Sequence, residues 1–128
     1  MVVFTIRIKR AYDTPSQDDG TRILVDRLWP RGLRKDDARI DLWLREIAPS
    51  DDLRKWFNHD PKKWGLFRKR FFTELDKQPD AIDEIKKTAR KGTMTLIYGA
   101  REERFNNAVA LKEYLVIRMT ASRRKAAA

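Results

Sequence analysis

The sequence predicts an α/β domain built on one small, at least partly parallel sheet flanked by helices. Three observations carry this. Residues 3–8, VFTIRI, alternate apolar and polar with β-branched residues prominent, and residues 93–98, TMTLIY, form an apolar run that ends at Gly99. Between them lie capped stretches whose apolar residues recur every three or four positions. The second run is followed by a short charged turn and a capped helix, half of a βα unit, which implies parallel pairing. With 128 residues, 41% hydrophobic, the chain has the size and the apolar content for a single core.

The first strand is thus expected at 3–8. Residues 13–20, DTPSQDDG, read as a loop by composition, and 22–28, RILVDRL, as a second strand closed by Pro30 and Gly32. Residues 40–47, IDLWLREI, fit two periods. Ile40, Leu42 and Leu44 alternate as in a strand, while Ile40, Trp43, Leu44 and Ile47 share a helical face; strand is the preferred reading. Pro49 closes that segment. Ser50 then caps a short helix, DDLRKWF, with Asp51 and Asp52 in its first turn, where the helix dipole favours acids.

Asp60 followed by Pro61 is a second N-cap, opening a helix to about Lys77 with Trp64, Phe67, Phe71 and Leu75 as its buried stripe. Asp80 is the expected cap of a third helix, AIDEIKKTAR, with Ile82 and Ile85 inward and Gly92 as its stop. Asn106 or Asn107 caps the last helix, NNAVALKEYLVIRM. The domain is expected to span 1–117, and residues 118–128 to form a basic, frayed tail.

Composition limits the chemistry. Cysteine is absent, so disulfides, thiolate catalysis and Cys-ligated metal or iron–sulfur sites are excluded. His59 is the only histidine, which excludes a multi-histidine metal site. No metal or cofactor is predicted. No segment approaches the roughly 18 apolar residues of a membrane span, and the apolar start breaks at Arg7, so a cytoplasmic protein with no membrane partner is expected. The net charge of +10 favours anionic partners, although four of those charges, Arg118, Arg123, Arg124 and Lys125, fall in the expected tail.

Two constellations stand where an α/β sheet presents ligands, beyond the carboxyl ends of strands. The first, Val25 to Gly32, places Asp26, Arg27, Trp29 and Arg31 within a few residues. Two arginines there can grip a phosphate or carboxylate while the indole supplies a stacking face. The alternative is structural: Asp26 and Arg27 in ordinary ion pairs, Trp29 in the core. The second constellation is Tyr98-Gly99-Ala100-Arg101 with Asn106 and Asn107, where glycine permits close backbone approach and a helix N-terminus attracts anions. A plain turn and a plain cap are the alternative, since no G-x-G-x-x-G or P-loop is present. His59, in Asn58-His59-Asp60-Pro61, either binds backbone in a tight connection or transfers a proton near neutral pH.

The strings DRLWPRG at 26–32, APS at 48–50, LRKWFNHDPKKW at 53–64, FRKRFFTEL at 67–75, LIYGA at 96–100 and NNAVALKEYL at 106–115 together resemble the YeaO-like bacterial family, a domain of unknown function. The resemblance covers residues 4–116. It implies a compact cytosolic α/β domain and carries over no substrate, cofactor or partner. Because Asp26, Arg27, Trp29, Arg31, His59 and Asp60 mark the family, it also implies a shared site around them. At Ala100 to Glu103 the chain departs from the family pattern, which weakens the case for Arg101.

Three function classes follow. The first is a crevice for a small anionic ligand, with or without catalysis. In it Arg27 and Arg31 hold the anion, Trp29 and Tyr98 wall the site, Arg101 and Asn107 add contacts, Asp26 orients an arginine and His59 transfers a proton. The second is a non-catalytic protein that binds nucleic acid weakly through Lys62, Lys63, Arg68, Lys69, Arg70 and the tail. A partner-binding surface at Trp56 and Phe57 is a third, with core packing as its structural counterpart. Oligomeric state leaves no trace in the sequence.

Overall fold

In a computed structural model, the structure describes residues 4–127, with side chains through residue 120. Four strands, β1 (Ile6–Arg10), β2 (Thr21–Leu24), β3 (Leu42–Trp43) and β4 (Met94–Tyr98), form one sheet in the order β1-β4-β2-β3. Every pairing is parallel. Among the described residues the α-helices are α1 (Lys35–Ala38), α2 (Asp51–Phe57), α3 (Trp64–Asp76), α4 (Pro79–Lys91) and α5 (Asn107–Ala127). The α/β class and the parallel sheet are therefore as the sequence predicts.

The faces of the sheet follow from strand alternation. Ile6, Ile23, Val25, Met94, Leu96 and Tyr98 join the main core, together with Leu53 and Phe57 of α2, Phe67, Phe71 and Leu75 of α3, Ile82 and Ile85 of α4 and Leu111 and Leu115 of α5. The opposite face holds a smaller cluster of Ala11, Leu24 and Ile97, covered by Trp29, Leu33, Ile40 and Trp43. Central strand β4 is buried along its whole length, as a strand flanked on both edges and both faces must be.

Several boundaries differ from expectation, each for a local reason. β1 continues to Arg10 because its polar residues find partners: Lys9 reaches Asp19, and Arg10 Nε donates to Ala100 O at 2.9 Å. β2 stops at Leu24 rather than Leu28, since Asp26 turns out of the ladder and Leu28 is exposed. The segment 40–47 uses both of its periods. Leu42–Trp43 pairs with β2, then Arg45–Ile47 makes one 3-10 turn that buries Leu44 and Ile47 three residues apart.

Pro61–Lys63 is a 3-10 turn leading into α3, capped by the Asp60 side chain as expected. α4 starts at Pro79, so Asp80 lies in its first turn instead of capping it; proline suits the first helical position. Helix α5 continues through the stretch expected to be a tail, and Arg118 packs on the Tyr114 ring and donates to Asp76 at 3.0 Å. The side chains of Arg123, Arg124 and Lys125 lie outside the described residues.

The loop at 13–20 is also more structured than its composition suggests. Ser16 and Asp19 form a capping box around a 3-10 turn, and Asp19 is almost wholly buried. Its carboxylate meets Arg22 at 2.6 Å and Lys9 at 3.1 Å. Arg22, equally buried, also donates to Ala38 O and Arg39 O. Gly20 next to it has φ +62, and a Cβ there would lie 2.0 Å from Thr93 O, so only glycine fits.

Candidate functional site

β2 and β4 are neighbours whose onward connections diverge. The chain after β2 runs to β3, and the chain after β4 enters α5, which packs on β1 and β4. Such a divergence opens a crevice beyond the carboxyl ends of the strands. Here it is a cavity of about 200 Å³, lined by Asp26, Arg27, Arg54, His59, Asn106 and Asn107 together with apolar groups from the loops, α2 and α3.

Asp26 joins the two strand ends. One carboxylate oxygen accepts from Gly99 N at 2.8 Å and the other from Asn107 Nδ2 at 3.0 Å. Asn107 uses its second amide proton on Val25 O, at 3.0 Å. A Cβ on residue 99 would sit 3.3 Å from Asp26 Oδ2, a tight approach that would press on the carboxylate. Burial pushes the Asp26 carboxyl above its ordinary value; the hydrogen bonds from Asn107 and Gly99 and the charge of Arg54 offset this only in part. Among the described residues no cation pairs directly with it.

The opposite wall comes from α2. Ser50 Oγ caps the helix at Leu53 N and donates to Glu74 Oε2 at 2.6 Å, while Ser50 N donates to Glu74 Oε1. This ties the Ala48-Pro49 wall to α3 and fixes the register that brings Arg54 and Phe57, three residues apart, to the cavity. Helix α2 ends in two consecutive left-handed residues, Asn58 (φ 46) and His59 (φ 54). That turn sets the imidazole near the Phe57 ring, 6.2 Å between centroids, at the cavity. Arg27 is exposed, with only long contacts of 3.4 Å from Nη2 to Ala48 O and Pro49 O. Three cationic or protonatable groups thus line the same cavity as one part-buried acid.

A family model described as "Inactive DUF488-N3 subclade" matches residues 5–128. The chain belongs to that subclade. Among curated proteins it is 41% identical to the uncharacterised protein YeaO of Escherichia coli K12, over 86% of this chain and 96% of that protein. It is 36% identical to uncharacterised proteins of Mycobacterium tuberculosis H37Rv and Mycobacterium bovis, over 86% of this chain and 92% of theirs. No solved structure matches.

For this member of the DUF488-N3 subclade, the structure gathers Asp26, Arg27, His59 and Asn107 around one cavity and places the other four predicted residues elsewhere. Trp29 lies on the far face of the sheet, its ring against Trp43 at 5.5 Å and its Nε1 donating to Leu33 O at 2.6 Å. Past Leu28 the chain crosses the end of the sheet, so the DRLWPRG motif serves both faces. Arg31 is exposed beyond that crossing, with its carbonyl accepting from Tyr12. Tyr98 is buried in the main core, and Arg101 is exposed away from the cavity. Asp26 orients no arginine; it holds Gly99 and Asn107.

Sequence reasoning missed Arg54 as a cavity residue. The Ser50 cap was the available signal for Arg54, because it fixes which α2 positions face inward. Asn106 proves to be the α5 cap, its Oδ1 accepting from Val109 N at 3.0 Å, which leaves Asn107 free to bind Asp26. Several of the basic residues considered for nucleic acid are already engaged. Arg68 pairs with Glu113 at 2.6 Å, Lys63 donates to Trp56 O and Arg118 pairs with Asp76. Phe57 is core and Trp56 is half-buried between Lys63 and Arg70. Among the described residues there is no group of three or more His, Asp or Glu able to hold a metal, and no helix is long and apolar enough to cross a membrane.

Proposed function

We propose that this protein binds a small anionic molecule, bearing a carboxylate or phosphate, in the cavity at the carboxyl ends of β2 and β4, and does so without turnover. The observation that carries the reading is the convergence of Arg27, Arg54 and His59 on one cavity at the divergence of two parallel strands. The guanidinium groups supply charge-assisted donors for the anion. The description of the subclade as inactive supports binding over catalysis. So does the engagement of Asp26, whose two oxygens each already hold a neutral donor.

Inorganic phosphate is the simplest probe. Titrated into the protein, it is expected to raise the thermal midpoint, by an amount corresponding to about 1.4 kcal/mol at ten times its Kd. Arg54→Ala and Arg27→Ala are each expected to remove most of that rise while leaving the ligand-free midpoint unchanged. A rise that persists in the double variant overturns the reading.

A further inference from the structure

The hydrogen-bond inventory of the cavity specifies more than an anion. Both Asn107 Nδ2 protons are committed, one to Val25 O and one to Asp26 Oδ1. Since a backbone carbonyl can only accept, the orientation of the amide is fixed and Asn107 Oδ1 is the atom left over. No hydrogen bond reaches it among the described residues, yet it is not among the buried unpaired atoms, so it is accessible. Each Asp26 oxygen accepts one bond and retains a second lone pair. The polar end of the cavity at the β2/β4 seam therefore offers acceptors. The donors, Arg27, Arg54 and His59, come from the exposed turn after β2 and from α2 and its end. The rest of the lining includes the apolar groups Pro49, Phe57, Phe67 and Ala100, and Phe57 and Phe67 are themselves stacked at 4.3 Å.

Resting on the anion-binding reading, we infer that the ligand is a flat ring carrying an uncharged amino-type N–H donor at one end and its acid at the other. The N–H end sits on Asp26 and Asn107, and the acid faces Arg27, Arg54 and His59. An amino group suits the inner end because it brings two protons to two acceptors. A bare cation is disfavoured, since three positive or protonatable groups line the same cavity against one acid. A simple anion is incomplete as a ligand, because it would leave the accessible acceptors to water and its own repulsion with Asp26 unrelieved.

The test compares 4-aminobenzoate, which has both features, with benzoate, which has the acid alone, by titration into the uniformly 15N-labelled full chain. 4-Aminobenzoate is expected to bind about tenfold more tightly, the range for one or two added hydrogen bonds to a charged acceptor. It should also shift the Gly99 backbone amide and the Asn107 side-chain amide, which benzoate leaves in place. In Asp26→Asn the carboxamide still has an oxygen for Gly99 N, and the preference is expected to fall to within about twofold; a dispersed spectrum verifies that the variant is folded. Equal binding of the two acids by the wild-type chain overturns the N–H inference and leaves the anion-binding reading standing. If neither acid nor phosphate moves any resonance of the cavity residues, both fail.

Discussion

Two carboxylates flank β2, one buried and one part-buried, and they are treated in opposite ways. Asp19, just before the strand, is saturated with cations: Lys9 and Arg22 both reach it, and Ser16 N donates to it at 2.9 Å. Burial alone would raise its titration, but these hydrogen bonds and charges outweigh burial and hold the carboxyl below its ordinary value. Asp26, just after the strand, has only neutral donors and is pushed upward. An acid whose lone pairs are filled by cations is an internal tie. An acid held in place by neutral groups, with lone pairs left and cations nearby but unpaired, is available to a third party.

The largest effect is expected at the first site. Asp19→Ala leaves the Arg22 guanidinium buried without its partner and should cost about 3–5 kcal/mol in urea denaturation. A loss below about 1 kcal/mol would dissolve the contrast between the two acids. Asp26→Asn should cost about 1 kcal/mol, because the carboxamide keeps an acceptor for Gly99 N and loses mainly the Asn107 bond. If it is as damaging as Asp19→Ala, Asp26 is a second internal tie.

Acid titration separates the two by sign. Both groups titrate near 3.8 when unfolded. Since Asp19 titrates lower in the folded chain, its stabilisation is present above 3.8 and is lost as pH falls through the depressed folded value. Asp26 titrates higher when folded, so keeping it ionised costs stability above its raised value, and that cost is relieved as pH falls towards 3.8. Subtracting the stability curve of Asp26→Asn from that of wild type should therefore give a difference that grows as pH is lowered above 3.8. The corresponding Asp19→Asn difference should shrink below 3.8. Two differences that change in the same direction as pH falls would contradict the assigned environments. The smallest stability effect is expected for Arg54→Ala, whose side chain among the described residues makes only a 3.4 Å contact to Asp51, so that a change in anion binding without a change in denaturation midpoint isolates its role.

What the sequence made legible was local. Ser50, Asp60 and Gly92 mark helix ends by chemistry that acts within a few residues, and each stands where a reader of the sequence puts it. The alternation in β1 and the apolar run of β4 were equally plain. Asp19 was hidden inside a loop composition because its burial depends on Lys9 and Thr95, which only the sheet brings to it. The candidate site was half visible. Asp26 and Arg27 lie before the point where the chain crosses the sheet and Trp29 and Arg31 beyond it, and nothing in DRLWPRG says where the crossing falls. Arg54 looked like one basic surface residue among many, since only the tie between Ser50 and Glu74 directs its helix.

The strand order has a consequence for the nascent chain. β1 and β2 are made first but do not touch as neighbours; each pairs with β4, at registers such as Ile6↔Met94 and Ile23↔Leu96. β2 has an early partner in β3, but β1 must wait for β4, so the sheet closes only after most of the chain has been synthesised. Pairings so distant in sequence form slowly. The cavity cannot form before then, because it needs both the seam between β2 and β4 and the first turn of α5. Until then the apolar faces of β1 and β2 stay open to other chains, and the many charges on α3 and α4 help keep such an intermediate dispersed.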